Sequence, residues 1–263
     1  VYISGNVSAK DYLVTLEAGK VNYIHFGYKK NNFNNSGSDT FTINNIRNIN
    51  DYKFEITNTK DEVIRNENAS TVKLLKDVSL SEPMKIDETK NMILDLNGKT
   101  LTIVNKNYVI ENNGKLKIID NKYSSNTEDE SIGSILSSTS SVLYNKAGAD
   151  LTIEKVNIIG NSPTSDVITN EGTLTLGDSS IVKSSASNVI GVNNKNTGNI
   201  LPSTGTISME ATSSSQTGIY NDSKKQETLE KINIIAKNIS SYALNNISTS
   251  NLKIGDINIE SEG

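Results

Sequence analysis

The chain has 263 residues, with 26 Lys and Arg against 30 Asp and Glu, a formal net charge of −4, one His and no Cys. Without Cys there are no disulfides, thiol nucleophiles or zinc–thiolate clusters, and the mild acidity leaves no basic footprint for nucleic acid. No apolar run approaches the roughly 18 residues of a membrane-spanning helix.

Asn, Ser and Thr are abundant, strong helix formers are few, and β-branched Ile, Val and Thr recur along the chain. That composition predicts an all-β protein. The opening at Val1, with neither Met nor a signal peptide, leads us to expect a segment of a longer chain.

All four Phe (Phe26, Phe33, Phe41, Phe54), the single His (His25) and both Arg (Arg47, Arg65) fall within the first 65 residues. So abrupt a shift predicts a separate module. Within it "DYLVTLE", "VNYIHFGYK", "DTFTINNI" and "YKFEIT" read as strands, the last with Tyr52, Phe54 and Ile56 alternating with Lys53 and Glu55. The expectation for residues 1–58 is a small β-sandwich-like, Ig-like module. His25, with no Cys or carboxylate cluster beside it, reads as a packed strand residue rather than a ligand. Residues 59–70 are expected to hold a short capping helix from about Asp61 to Asn68, with Thr59 as its N-cap.

From residue 71 to 263 one short phrase recurs: an apolar residue, an Asn two positions on, a Gly or polar turn, then Leu-x-Ile or its equivalent. The anchors are Asn112, Asn145, Asn170, Asn193, Asn221 and Asn245. Two positions earlier stand Ile110, Leu143, Ile168, Gly191, Ile219 and Ala243. The alternating strands that follow carry Leu116/Ile118, Leu151/Ile153, Leu174/Leu176, Ile207/Met209, Ile232/Ile234 and Leu252/Ile254. A strand that buries one face at this interval cannot close a core alone, whereas successive copies stacked about 4.8 Å apart can. With a third apolar element per repeat (Val156/Ile158, Ile181, Ile257/Ile259) the expectation is a three-sided parallel β-helix of about eight turns, on the order of 40 Å long. The anchor Asn side chains are expected to point inward and form a hydrogen-bonded ladder.

The stretch "TVKLLKDVSLSEPMKIDETKNMILDLNGKTLTI" (71–103) resembles the opening coils of right-handed parallel β-helix domains of the pectate-lyase-like superfamily. Its core, "MILDLNGKTLT", resembles runs in large Gram-positive cell-surface proteins. The resemblance implies a right-handed coil, a short helix over its N-terminal end, and a choice between surface proteins and enzymes acting on polysaccharides. Lyases of that kind need an Arg or Lys base and often carboxylates holding Ca²⁺ beside a substrate uronate. No Arg follows Arg65, so only lysines such as Lys117, Lys183 and Lys253 remain for that role. For glycoside hydrolysis the carboxylates on offer are Asp95, Asp120, Asp150 and Asp178, each near a strand end, where turn Asp is the ordinary reading. The acidic run Glu128, Asp129 and Glu130 in "DNKYSSNTEDES" reads as solvated charge rather than a Ca²⁺ loop.

If each anchor and the residue two before it point inward, the residues one and three before it point outward. The first set is Glu111, Tyr144, Thr169, Val192, Tyr220 and Leu244; the second is Val109, Val142, Val167, Ile190, Gly218 and Tyr242. A partly apolar outer ladder centred on Tyr144, Tyr220 and Tyr242 is therefore the expected contact surface, fit for stacking a glycan or docking a protein. The expectation is a non-enzymatic extracellular domain of a bacterial surface or secreted protein, adhesin-like or a spacer, binding a glycan or a host or matrix protein. The alternative is a polysaccharide lyase or glycoside hydrolase. No cofactor, metal, nucleic acid or membrane insertion is expected, and oligomeric state is left open.

Overall fold

The structure, a computed structural model, describes residues 70–261 apart from 105, 123–131, 164, 212–213 and 239, together with the backbones of three strands, Tyr2–Ile3, His25–Phe26 and Phe54–Thr57. Among the described residues all regular structure is strand. The chain divides into two compact units, Val1–Asp51 and Tyr52–Gly263. In the first, Tyr2–Ile3 pairs in parallel with His25–Phe26. The remaining strands expected within residues 1–51, and the capping helix expected over 59–70, lie outside the described residues but for Ser70, which opens a strand. Phe54–Thr57, read in sequence as part of the N-terminal module, falls in the second unit and pairs antiparallel with Ser70–Leu74.

The second unit is a parallel β-solenoid of about seven turns, rather than the eight expected, with three faces. The first face stacks Ser70–Leu74, Asn91–Asp95, Lys115–Ile119, Asp150–Glu154, Thr173–Leu176 and Asn199–Ile200 in parallel. The second runs from Val78–Leu80 through Thr100–Ile103, Ser134–Ser137, Asn157–Gly160, Ile181–Ser184, Thr206–Met209 and Asn233–Ala236 to Asn258–Ser261. The third stacks Met84–Ile86, Ile110–Asn112, Leu143–Asn145, Asp166–Asn170, Ile190–Asn196, Thr217–Ser223 and Tyr242–Asn246.

On the first two faces the period-2 pattern does what alternation dictates: every second side chain enters the coil. Leu94, Ile118, Ile153 and Leu176 stack in register on the first face, and Leu101, Ile135, Ile158, Val182, Ile207 and Ile234 on the second, all fully buried. Burial of each such side chain contributes about 1.5–3 kcal/mol. Two strand assignments change. Ile207/Met209 and Ile234 belong to the second face and not to the strand that follows the anchor. On the strand Ile181–Ser184 the inward residue is Val182, while Ile181 is half-buried.

The third face departs from simple alternation. Five successive rungs turn two consecutive residues inward before the anchor: Val109–Ile110, Val142–Leu143, Val167–Ile168, Gly191–Val192 and Gly218–Ile219. Val109, Val142, Val167 and Val192, expected outside, are fully buried, and Leu244 packs partly buried against the core. At Gly191 the small residue in the first of these positions matches bulk on the second face. A Cβ on Gly191 would lie 2.7 Å from Ile207 Cγ2 and 3.1 Å from Met209 Sδ, so the large Met209 occupies room that Val109, Val142 and Val167 fill elsewhere.

The recurring Gly has a steric reason. A Cβ on Gly114 would lie 2.3 Å from the Asp87 carbonyl oxygen, and one on Gly172 would lie 2.3 Å from that of Ala149, because the preceding rung's turn packs directly against the chain there. The first face is interrupted after Asn199–Ile200 and resumes as Thr228–Leu229 paired with Lys253–Ile254. Gln226 bridges the gap. Its Oε1 accepts from Ile200 N at 2.6 Å, while its Nε2 donates to Ile200 O at 3.0 Å and Thr228 O at 2.7 Å.

Candidate functional site

The buried Asn ladder sets the register of the third face and so decides which side chains reach solvent. Asn112 Nδ2 donates to Asn145 Oδ1 at 2.8 Å, and the same bond repeats from Asn145 to Asn170, Asn170 to Asn194, Asn194 to Asn221 and, at 2.7 Å, Asn221 to Asn246. Asn193 and Asn245, assigned to the ladder from sequence, stand one residue short of it. Both repeats carry an Asn doublet, and the burial of Val192 and the inward packing of Leu244 put the second Asn of each on the ladder, Asn194 buried and Asn246 exposed on the last third-face strand. The outer column beside the ladder is therefore Glu111, Tyr144, Thr169, Asn193, Tyr220 and Asn245. Beyond the inward pair a second outer column holds Asp166, Ile190, Thr217 and Tyr242 in register, with Tyr108 at the equivalent position two residues before the strand Ile110–Asn112.

These two columns bring together a polar and aromatic cluster. The rings of Tyr108 and Tyr144 meet at 4.9 Å between centroids, tilted by 33°. Tyr144 Oη donates to Glu171 Oε2 at 2.9 Å, and Asn196 Nδ2 donates to Glu171 Oε1 at 2.6 Å. Asp166 Oδ2 accepts from Thr169 Oγ1 at 2.9 Å and from Asn193 Nδ2 at 2.8 Å. Lys146 Nζ contacts Glu111 Oε1 at 2.5 Å and stands 5.7 Å from the Tyr144 ring centroid, while Lys85 Nζ lies 3.8 Å from Glu111 Oε2. Asn193 Oδ1 is buried and has no hydrogen-bond partner.

The electrostatics follow from this arrangement. Burial, then the hydrogen bond to Glu171 and its charge, push Tyr144 up to about 12. Tyr108 is also raised, first by burial and then by the charges of Asp166, Glu111 and Glu171. Glu111 is held below its ordinary value chiefly by the hydrogen bond from Lys146, against the opposing effect of burial. Tyr144 is therefore a neutral donor locked to a carboxylate, and the surroundings of Tyr108 are predominantly negative.

The three tyrosines named from sequence do not converge. Tyr144 and Tyr220 occupy the same outer column three rungs apart, roughly 14 Å at the strand spacing. Tyr242 lies in the other column of the last third-face strand, 59% exposed. The catalytic candidates scatter as well. Asp95 accepts from the backbone N–H groups of Asn97 and Asn121 and from Asn121 Nδ2, and Asp120 from the N–H groups of Gly98, Lys122 and Gly133, so both buried carboxylates hold turns. Asp150 and Asp178 are exposed, with Asp178 accepting from Thr204 Oγ1. Lys117 pairs with Glu154 at 2.8 Å, Lys183 is half-buried on the second face, and Lys253 is exposed. The acidic residues Glu128, Asp129 and Glu130 and the side chain of His25 lie outside the described residues. Among the described residues no group of three or more His, Asp or Glu is placed to hold a metal ion.

Tyr108, Lys146, Asp166 and Glu171 were missed from sequence, and Asn193 was assigned to the interior. A signal for Tyr108 existed: it stands four positions before an anchor, and once two inward residues intervene, the fourth position faces out. No family model, curated protein or solved structure matches the chain.

Proposed function

We propose that this chain is a non-enzymatic binding domain of an extracellular bacterial surface protein, and that the outer side of the third face is its contact surface. The observation that supports this reading is the Tyr108–Tyr144 pair, ringed by Glu171, Asp166 and Asn193 on the outer side of a rigid parallel sheet. Aromatic rings flanked by fixed hydrogen-bonding groups provide both stacking area and orientation, the two things a glycan or a protein loop needs from a flat site. A coil with a continuous apolar core and an internal amide ladder presents such a surface with little reorganisation. The role of Asp95 and Asp120 as turn acceptors weighs against the enzymatic alternative, since each is already engaged by backbone donors.

The test is incubation of the purified chain, with and without Ca²⁺, against a panel of uronate and neutral polysaccharides. Released reducing ends are measured alongside retention of the protein on the immobilised polymers. Retention without release, lost in Tyr108→Ala, is the expected result. Reducing ends above a heat-denatured control would overturn the reading and direct attention to Asp150, Asp178 and the surface lysines.

A further inference from the structure

Resting on that reading, we infer that the tyrosine face takes non-acidic sugar rings rich in hydroxyl donors, and rejects the uronates to which the resemblance of residues 71–103 points. The hydrogen-bonding inventory of the cluster leads there. Glu171 and Asp166 are both bound by neutral donors only: Tyr144 and Asn196 on the first, Thr169 and Asn193 on the second. A carboxylate has about four lone-pair sites, so each retains acceptor capacity. Two of the donors on the protein side are already engaged. The Tyr144 hydroxyl is given to Glu171, and the Lys146 ammonium is held by Glu111 at 2.5 Å.

A surface whose carboxylates have acceptor capacity to spare favours a ligand that supplies donors. Ring hydroxyls do so, and a vicinal pair can address one carboxylate while the apolar side of the pyranose lies on the aromatic platform. A uronate supplies an acceptor-only group and a negative charge. It would enter the field of Asp166 and Glu171, which, unlike Glu111 with its Lys146 and Lys85 partners, are engaged by neutral donors alone. Like charges at such range disfavour binding, the more so where the site is partly desolvated.

The experiment is ligand-observed NMR and calorimetric titration of the full chain with length-matched oligosaccharides. One set is neutral (glucose, mannose, galactose and N-acetylglucosamine oligomers) and the other consists of galacturonate oligomers. Variants are Tyr108→Ala, Glu171→Gln and, as a control on the first face, Thr152→Ala, each checked for an unchanged circular dichroism spectrum. The expected result is binding within the neutral set, at least tenfold weaker in Tyr108→Ala, three- to tenfold weaker in Glu171→Gln and unaltered in Thr152→Ala. Galacturonates should bind at least tenfold more weakly than the best neutral oligomer, with the gap narrowing in Glu171→Gln. Galacturonate binding as tight as neutral binding and sensitive to Tyr108→Ala would overturn this inference while leaving the contact surface in place. Neutral binding insensitive to Tyr108→Ala, or no binding by either set, would overturn the inference and the glycan form of the proposed function together.

Discussion

Tyr144 donates its hydroxyl hydrogen to Glu171 on the following rung at 2.9 Å, so the outer aromatic platform and its acceptors are fixed to each other across two turns of the coil. The bond raises the phenol to about 12, after burial, which is the larger cause. An unfolded tyrosine ionises near 10. Because the folded value is the higher one, the folded state retains a proton that the unfolded state loses between those values. The contribution of Tyr144 to stability is therefore complete below pH 10 and is lost as pH rises toward 12. Spectrophotometric titration should show a late-ionising phenol that disappears in Tyr144→Phe, and urea midpoints of the variant should fall less steeply across that range. A Tyr144→Phe curve superimposable on wild type would disprove the coupling.

The ladder register makes a sharper test. Asn170 is fully buried, accepts from Asn145 and donates to Asn194. Asn170→Ala strands an amide on each side and is expected to cost about 2–4 kcal/mol in urea unfolding. Asn193→Ala, which removes one outer hydrogen bond to Asp166, should cost less than about 1.5 kcal/mol. If the two substitutions cost the same, Asn193 rather than Asn194 would be the interior residue.

Gly191→Ala tests the exchange of bulk between the second and third faces. The added methyl would sit 2.7 Å from the Gly218 carbonyl oxygen and from Ile207 Cγ2. Backbone on one side and packed core on the other leave little room to yield, and about 1–3 kcal/mol of destabilisation is expected. Gly148→Ala meets no atom within 4 Å, but its φ of 84° is unfavourable for Ala, so a loss of about 1 kcal/mol is expected there for a conformational reason instead. Combining Gly191→Ala with Met209→Ala should recover little, since the clash with the Gly218 carbonyl remains.

Gln226 closes the interrupted first face with one side-chain amide. Gln226→Ala leaves the N–H and carbonyl of Ile200 unpaired in a buried setting, with an expected cost of about 2–4 kcal/mol. Hydrogen exchange at Ile200 should accelerate well beyond that at Leu174 on the adjacent strand. Equal protection of the two amides in the variant would show that the gap is closed by other means.

Much of the coil was legible in the chain. Leu116/Ile118, Leu151/Ile153 and Leu174/Leu176 alternate with polar residues, and alternation specifies a half-buried strand wherever the backbone is extended. The spacing of Asn112, Asn145, Asn170 and Asn221 marked one rung each, because a buried amide needs hydrogen-bond partners and a stacked copy above and below supplies them. Gly114 and Gly172 marked the tight passage between rungs. These signals are local, written within a few residues of the group they describe.

What local pattern could not decide was left to packing between rungs. Two consecutive inward residues on the third face break the period of two, so Val109, Val142 and Val167 read as outward until the second face lay against them. The doublets Asn193–Asn194 and Asn245–Asn246 offer two chemically identical anchors, and only the placement of Val192 and Leu244 against the core selects the second. Tyr108 and Tyr144 belong to different rungs, as do Tyr144 and Glu171. The sequence by itself determined that the chain would coil, because alternation and repeat length are properties of short segments. The tertiary structure decided which side chains share the outer surface, because neighbours across rungs are set by stacking register and core volume.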